Sequence, residues 1–303
     1  MESVKILQKP LTINSNIIVV DDRALKYAKI IDTVMSKTFL RKLKDMDITV
    51  YVTTLYEYYA EWKKKAEYRD TEIKEVDIGS SGFITLFNED LAIIYISLPN
   101  NEEAQRRYRK YMIPFSYDPI HEVSHVYEQF IHRFSFGAKC NVNSLIVREI
   151  ALTVANIVND VSADYLTMNI YRQVNNNVYN VLSRRMIKSG IDSIIKNMRE
   201  YNILSSALHL AGLTRWIVID NKLFNRYTEF IDKLNSNGFN DIVDYTLKIL
   251  NYWDKHLANN YINKDEFAEL QKRLFDMLCP KVIYSFYDDG VLKLLNKIAK
   301  MEV

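Results

Sequence analysis

The first residues of chemical interest are His121, Glu122 and His125, which form the pattern His-Glu-x-x-His. Helical residues four apart lie on one face, so both imidazoles can hold one metal ion from the same side. Glu122 is rotated by about 100° from His121, and its carboxylate can reach a metal-bound water without being a ligand. Zinc-dependent hydrolysis needs this combination, because an open coordination position must hold a water and a nearby base must take its proton. The alternative is an amphipathic helix whose histidines face solvent.

The pattern must lie on a helix for this chemistry, and the flanking sequence predicts one. Asp118 suits the N-cap and Pro119 suits the first helical position. Gly137 suits the end of the helix. Apolar residues recur at helical spacing along one stripe: Ile120, Val123, Val126 or Tyr127, Phe130 and Ile131.

A second helix is predicted over residues 142–173, where apolar residues again recur at helical spacing. A polar stripe runs through it at steps of seven and four residues, which keeps its members on one side: Glu149, Asn156, Asp160 and Asp164. Carboxylates on an otherwise apolar helix are costly to bury without a cation or hydrogen-bond donors. A metal held by the preceding helix would supply the cation.

The segment Asn159-Asp160-Val161-Ser162-Ala163-Asp164 resembles the second motif of the gluzincin metallopeptidases. Thermolysin-like members of that group place an acidic ligand after an Asn and an Asp four residues later. The CAAX-processing membrane proteases carry a similar acidic-x-x-Ala-Asp pattern. The chain is also similar to metallopeptidase-like domains found beside von Willebrand A-like domains, which read Asn-Ile-x-x-Asp as residues 156–160 do here. The resemblance covers residues 118–168.

This resemblance implies a Zn²⁺ site in which His121, His125 and Asp160 are the ligands and Glu122 is the general base. Asp164 would hold the outer nitrogen of a ligand histidine and fix its tautomer. Asp160 is one methylene shorter than the usual Glu of gluzincins, so the two helices would have to lie closer together. Glu149 lies in the same polar stripe and remains the alternative third ligand.

The sequence leaves the roles of two further histidines, His132 and His209, open. His132 lies seven residues after His125, again on the metal face, where it could be a ligand or, as we favour, a supporting histidine. In thermolysin-like enzymes a downstream histidine donates to the oxyanion, and His209 is the candidate catalytic residue for that role. The apolar stretch around His209 favours a packed core histidine instead.

The predicted fold class is α+β, with a zincin-like domain over residues 1–180 and a helical subdomain over residues 181–303. A helix is predicted from Asp21-Asp22 to about Asp45. Strands are predicted at 48–52, 82–87 and 91–96, the last two as a hairpin. They would form a small twisted sheet over residues 48–97, and by the family likeness an edge strand of the hairpin aligns substrate. Helical patterns fill residues 184–303, with breaks at 235–240 and at Cys279-Pro280.

Composition limits the partners, the fold types and the cellular location that we expect for this chain. The 303 residues carry a formal net charge of +2 and only two cysteines, so neither nucleic-acid binding nor a disulfide framework is predicted. No 18-residue apolar run and no signal-peptide pattern occurs, so we expect a cytoplasmic protein without a membrane span. The sequence carries no signal for an oligomeric state.

The function predicted from these features is a zinc-dependent peptidase that acts on a peptide or protein substrate. Two alternatives remain open. One is a different zinc hydrolase, such as a deacetylase or amidase. The other is a helical interaction protein whose zinc site is inactive or purely structural, with His132 or Glu149 completing the coordination shell.

Overall fold

The structure is a computed structural model of the 303-residue chain. It describes the following residues: 6–14, 16–46, 48–55, 57–58, 60–61, 83–88, 91–96, 117–132, 145–181, 183–184 and 240–288. Gly137, His209 and the predicted helices between residues 191 and 234 lie outside the described residues.

The described chain is a mixed α/β protein and is mostly helical. Its strands are β1 (Ile6–Asn14), β2 (Ile17–Asp21), β3 (Thr49–Thr53), β4 (Phe83–Asn88) and β5 (Leu91–Ile96). Its long helices are α1 (Leu25–Lys37), α2 (Tyr117–His132), α3 (Leu145–Val174), α4 (Asn240–Asn259) and α5 (Lys264–Asp288). Two compact units divide the chain, Met1–Arg133 with Asn169–Asn175 and Phe134–Met168 with Asn176–Val303.

The first unit contains a five-stranded sheet in the order β1-β2-β3-β5-β4. The three central strands β2, β3 and β5 are parallel, and β1 and β4 pair antiparallel at the two edges. The predicted hairpin is confirmed, since β4 pairs with β5 from Phe83–Ile96 to Asn88–Leu91. Central parallel strands are buried on both faces, which explains the continuous apolar run of β5.

The sequence analysis missed the first two strands, so the sheet is larger than the one predicted from residues 48–97. β1 includes Pro10, which lacks a backbone N–H and is tolerated in a sheet at an edge or at a bulge. The pairing of β1 with β2 shifts register between Ile6 and Leu11, the interval that contains Pro10. β2 is a short β-branched run, Ile17–Asp21, whose alternation is too brief to separate a strand from a helix.

The helix predicted from Asp21 to about Asp45 is wrong as one element. Asp21 is the last residue of β2, residues 22–24 form a 3-10 turn, and α1 ends at Lys37. Thr38 then adopts an extended conformation (φ −129°, ψ −175°) before a second 3-10 segment, Phe39–Asp45. The Thr38 hydroxyl donates to the Val34 carbonyl and accepts from the Leu40 N–H, so one side chain ends α1 and begins the next segment.

A fully buried carboxylate joins the carboxyl ends of β2 and β3. Asp21 caps the 3-10 turn by accepting from the Ala24 N–H at 3.1 Å. Its oxygens also accept from the Thr53 hydroxyl at 3.0 Å and from the Thr54 N–H and hydroxyl, both at 2.7 Å. Burying a carboxylate is costly unless donors surround it, and this set provides them.

In the second unit, α4 and α5 pack against each other around an aromatic cluster that contains Tyr252, Trp253 and Phe267. The break predicted at Cys279-Pro280 is wrong, because α5 continues through Pro280 to Asp288. A proline inside a helix removes one hydrogen bond and costs about 3 kcal/mol, which the burial of Phe267, Leu274 and Leu278 on the same helix can offset. No helix within the described ranges is long and apolar enough to cross a membrane.

We predict that Asp21→Ala lowers the free energy of unfolding by about 3 kcal/mol, because it leaves buried donors of Ala24, Thr53 and Thr54 without their acceptor. Urea denaturation followed by circular dichroism measures the change. Asp22→Ala is the matched control, since Asp22 is the exposed neighbour and its loss should cost less than about 0.5 kcal/mol. Equal effects of the two substitutions would contradict the role given to Asp21.

Candidate metal centre

Helix α2 carries both histidines of the motif on one face. The Nε2 atoms of His121 and His125 lie 3.2 Å apart. The two rings meet edge to face, with centroids 4.7 Å apart and an interplanar angle of 88°. Both side chains are half-buried, so they are held by the protein and still open to a small ligand. The spacing of four residues therefore brings the imidazoles together as the sequence predicts.

The other side of α2 holds the helix in place. Within the first unit it packs against α1 and against the edge hairpin β4–β5. Four of the apolar residues predicted from the periodicity are buried, and the other two, Phe130 and Ile131, are half-buried: the buried ones are Ile120, Val123, Val126 and Tyr127. The Tyr127 ring packs edge-on against Phe39 at 5.1 Å, and burial raises the pKa of its phenol, which stays protonated.

The start of α2 differs from the prediction. The helix includes Tyr117 and Asp118, so Asp118 is not its N-cap. Pro119 is compatible with this earlier start, because the first four N–H groups of a helix have no partner within it and a proline there costs no hydrogen bond. His121 lies about one turn inside the helix as a result.

Helix α3 is confirmed close to its predicted limits of residues 142 and 173. Residues 161–168 are all buried, so this part of the helix is covered on every side, and the buried stretch includes the polar residues Ser162, Asp164 and Thr167. Asp160 stands just before that stretch and is half-buried, and Asp164 is only 1% exposed.

His121, His125 and Asp160 form a group in which each side chain offers one ligand atom, and these atoms all lie within 4.8 Å of one another. Two ligands at about 2.0–2.1 Å from a tetrahedral zinc are about 3.3 Å apart, close to the 3.2 Å between the two Nε2 atoms. Two imidazoles and one carboxylate are also the donors of catalytic zinc sites that keep a fourth position open.

Two contacts in the second unit hold α3 on either side of Asp160. The Gln271 amide of α5 donates to the Asn159 side chain at 3.3 Å. The Tyr165 hydroxyl donates to Asp254 of α4 in a short hydrogen bond. Since these residues precede and follow Asp160 by one and five positions, the C-terminal helices fix the part of α3 that presents the carboxylate.

The remaining predicted site residues have different outcomes. Glu122 is on α2 next to His121 and is 7% exposed. His132 is buried, and its Nδ1 lies 3.1 Å from the backbone carbonyl oxygen of Glu128. Glu149 is in the second turn of α3, but its side chain lies outside the described residues. Only the position of Asp160 therefore bears on which of the two is the third metal ligand. The contact predicted between Asp164 and a ligand histidine remains a prediction.

One side chain near the site was missed in the sequence. Glu128 is buried, 5% exposed, and its Oε2 lies 3.9 Å from Nδ1 of His125. The signal was present, because Glu128 follows His125 by three residues and residues at that spacing are neighbours on a helix.

Comparison of the chain with protein families, with curated proteins and with solved structures found no match. The geometry of these side chains is therefore the basis on which a function can be proposed. Two nitrogens and one oxygen converging from two helices can bind a divalent metal, and the donor types favour zinc.

We predict that the purified protein binds about one zinc ion per chain and that His125→Ala and Asp160→Asn each abolish stoichiometric binding. Removing one of three protein ligands leaves too few bonds to hold the ion. Metal content after dialysis is measured by inductively coupled plasma mass spectrometry.

Asn156→Ala is the matched control for this experiment, since Asn156 is exposed and lies one turn before Asp160 on α3. Its zinc content should equal that of the unchanged protein. Full zinc binding in Asp160→Asn would instead exclude Asp160 as a ligand and leave Glu149 and His132 as the candidates for the third one.

Proposed function

We propose that the chain is a zinc-dependent peptidase of the gluzincin type. The observation that carries this proposal is the convergence of His121, His125 and Asp160 within 4.8 Å, with Glu122 next in sequence to the first histidine. A zinc held by three protein ligands keeps a position for water or substrate, which is the requirement for hydrolysis.

Glu122 is the residue proposed to move the proton. Bound zinc would polarise the scissile carbonyl and lower the pKa of its water. Glu122 takes a proton from the attacking water and delivers it to the nitrogen of the leaving amine as the bond breaks. Its position about 100° around α2 from His121 places it beside the metal-binding face and not on it. A carboxylate only 7% exposed is shielded from bulk water, which strengthens its interaction with a nearby cation.

The edge strand β4 is an argument for a peptide as the substrate. β4 is an edge strand among the described strands, antiparallel to β5, and α2 packs against it. An extended peptide can add to such an edge through backbone hydrogen bonds, which are independent of side-chain identity. A substrate strand placed along β4 would run past the helix that carries His121 and His125. A sheet edge beside the histidine helix also agrees with the zincin-like fold, which is part of this proposal.

We predict that Glu122→Gln retains zinc but lowers kcat for peptide cleavage by at least about 100-fold, because the amide cannot accept the proton. Cleavage of a mixed peptide library by the zinc-loaded protein, followed by mass spectrometry, measures the rate. Glu269→Gln is the control with the same chemical change, since Glu269 is exposed and only pairs with Arg273 on α5.

Turnover retained in Glu122→Gln would contradict the assigned base. A zinc-loaded protein that cleaves no peptide but releases acetate from acetyl-lysine or cleaves simple amides would instead be an amidohydrolase. A zinc-loaded protein inactive on all of these substrates would have a structural site.

A further inference from the structure

Glu128 is a second buried carboxylate on α2, and the proposed mechanism gives it no part. It lies on the same face as the histidines, because His121, His125, Glu128 and His132 follow at steps of four, three and four residues and stay within about 60° of one another. Glu122 is about 100° from His121 and about 60° from His125 around the same helix. A carboxylate that is 5% exposed must be compensated by charge or by donors around it.

The two ring nitrogens of His125 face different neighbours. Nε2 lies 3.2 Å from Nε2 of His121, and Nδ1 lies 3.9 Å from Oε2 of Glu128. At 3.9 Å the second contact is longer than a hydrogen bond, and it is an ion pair only when His125 is protonated. A negative charge beside Nδ1 favours the tautomer that carries its proton there, which leaves the lone pair on Nε2, the atom that faces His121.

We propose that Glu128 is a positioning residue that fixes the tautomer and ring orientation of His125 for metal binding. This inference rests on the metal site of the proposed function and reassigns to Glu128 the task that the family likeness gives to Asp164. Carboxylates that orient a ligand histidine raise the basicity of its ligating nitrogen, and their removal typically weakens metal affinity by 10–100-fold.

The contact between Glu128 and His125 also bears on which of the two histidines donates through Nε2. A hydrogen bond between two Nε2 atoms 3.2 Å apart requires one ring to donate, and which ring donates depends on the tautomer of each. A proton on Nδ1 of His125 makes His125 the acceptor in the metal-free protein and His121 the donor. His132 does not compete for this role through Nδ1, because that atom donates to the Glu128 backbone carbonyl.

The first test is zinc affinity, measured by competition with a chromophoric chelator. We expect Glu128→Gln to weaken zinc affinity by about 10–100-fold. We expect Glu269→Gln, the same chemical change at an exposed position on α5, to alter affinity by less than about threefold. Asp164→Asn is measured alongside, and an affinity lost in Asp164→Asn but kept in Glu128→Gln would overturn the inference.

The second test is independent of zinc and of the folding of any Glu128 variant. Ring ¹⁵N shifts of the metal-free protein at neutral pH, with His125 assigned by comparison with His125→Ala, report which nitrogen carries the proton. The expected result is Nδ1–H on His125, and a dominant Nε2–H tautomer there would overturn the inference. A protein that binds no zinc but shows this tautomer refutes the proposed function and the metal-binding role of Glu128, and leaves only the effect of Glu128 on the tautomer of His125.

Discussion

The burial of carboxylates is the constraint on which the rest of this structure depends. Glu122, Glu128 and Asp164 are 7%, 5% and 1% exposed, although an ionised carboxylate in an apolar environment is strongly disfavoured. Such groups persist where cations or donors offset the cost of desolvation. His121 directly precedes Glu122 in the sequence, and Nδ1 of His125 lies 3.9 Å from Oε2 of Glu128. A divalent cation bound at these histidines would contribute a large compensating charge.

The two imidazoles are placed correctly only if α2 keeps a fixed register against the elements that pack on it. A shift of the sequence by one residue along the helix would rotate each side chain by about 100°. The buried face of α2 against α1 and the β4–β5 hairpin supplies that restraint. The sheet is in turn tied at one end by Asp21, which joins β2, the following turn and β3 through four hydrogen bonds. In the second unit, the contacts of Asn159 and Tyr165 hold α3 on either side of Asp160. The polar site therefore depends on apolar packing and buried capping far from the histidines.

Periodicity was sufficient to predict the elements that carry the site, because α2 and α3 are long and their apolar residues repeat with the period of a helix. It also located the hairpin, whose two strands are separated by two residues in the sequence.

Periodicity failed where side-chain hydrogen bonds override the pattern. Thr38 interrupts an apolar repeat that would otherwise continue, and Asp21 ends a strand and caps a single turn where the pattern predicts the start of a helix. Pro280 predicts the end of a helix, yet α5 continues through it. The spacing of three residues makes Glu128 a neighbour of His125 on a helix, but the motif does not encode the 3.9 Å contact with the ring nitrogen.

Glu122 and Glu128 flank His125 on α2, three residues before it and three residues after it. On an ideal helix each of them is about 60° around the axis from His125, so angle alone does not assign their roles. Glu128 is distinguished by the 3.9 Å between its Oε2 and Nδ1 of His125. In the proposed function Glu128 would act through the His125 ring, and Glu122 would act on a water or a leaving group beside the metal. A single helix can therefore support both the strength of metal binding and the transfer of a proton, provided that its register against the sheet is fixed. This dependence makes the packing of Val123, Val126 and Tyr127 as consequential for the proposed chemistry as the ligands themselves.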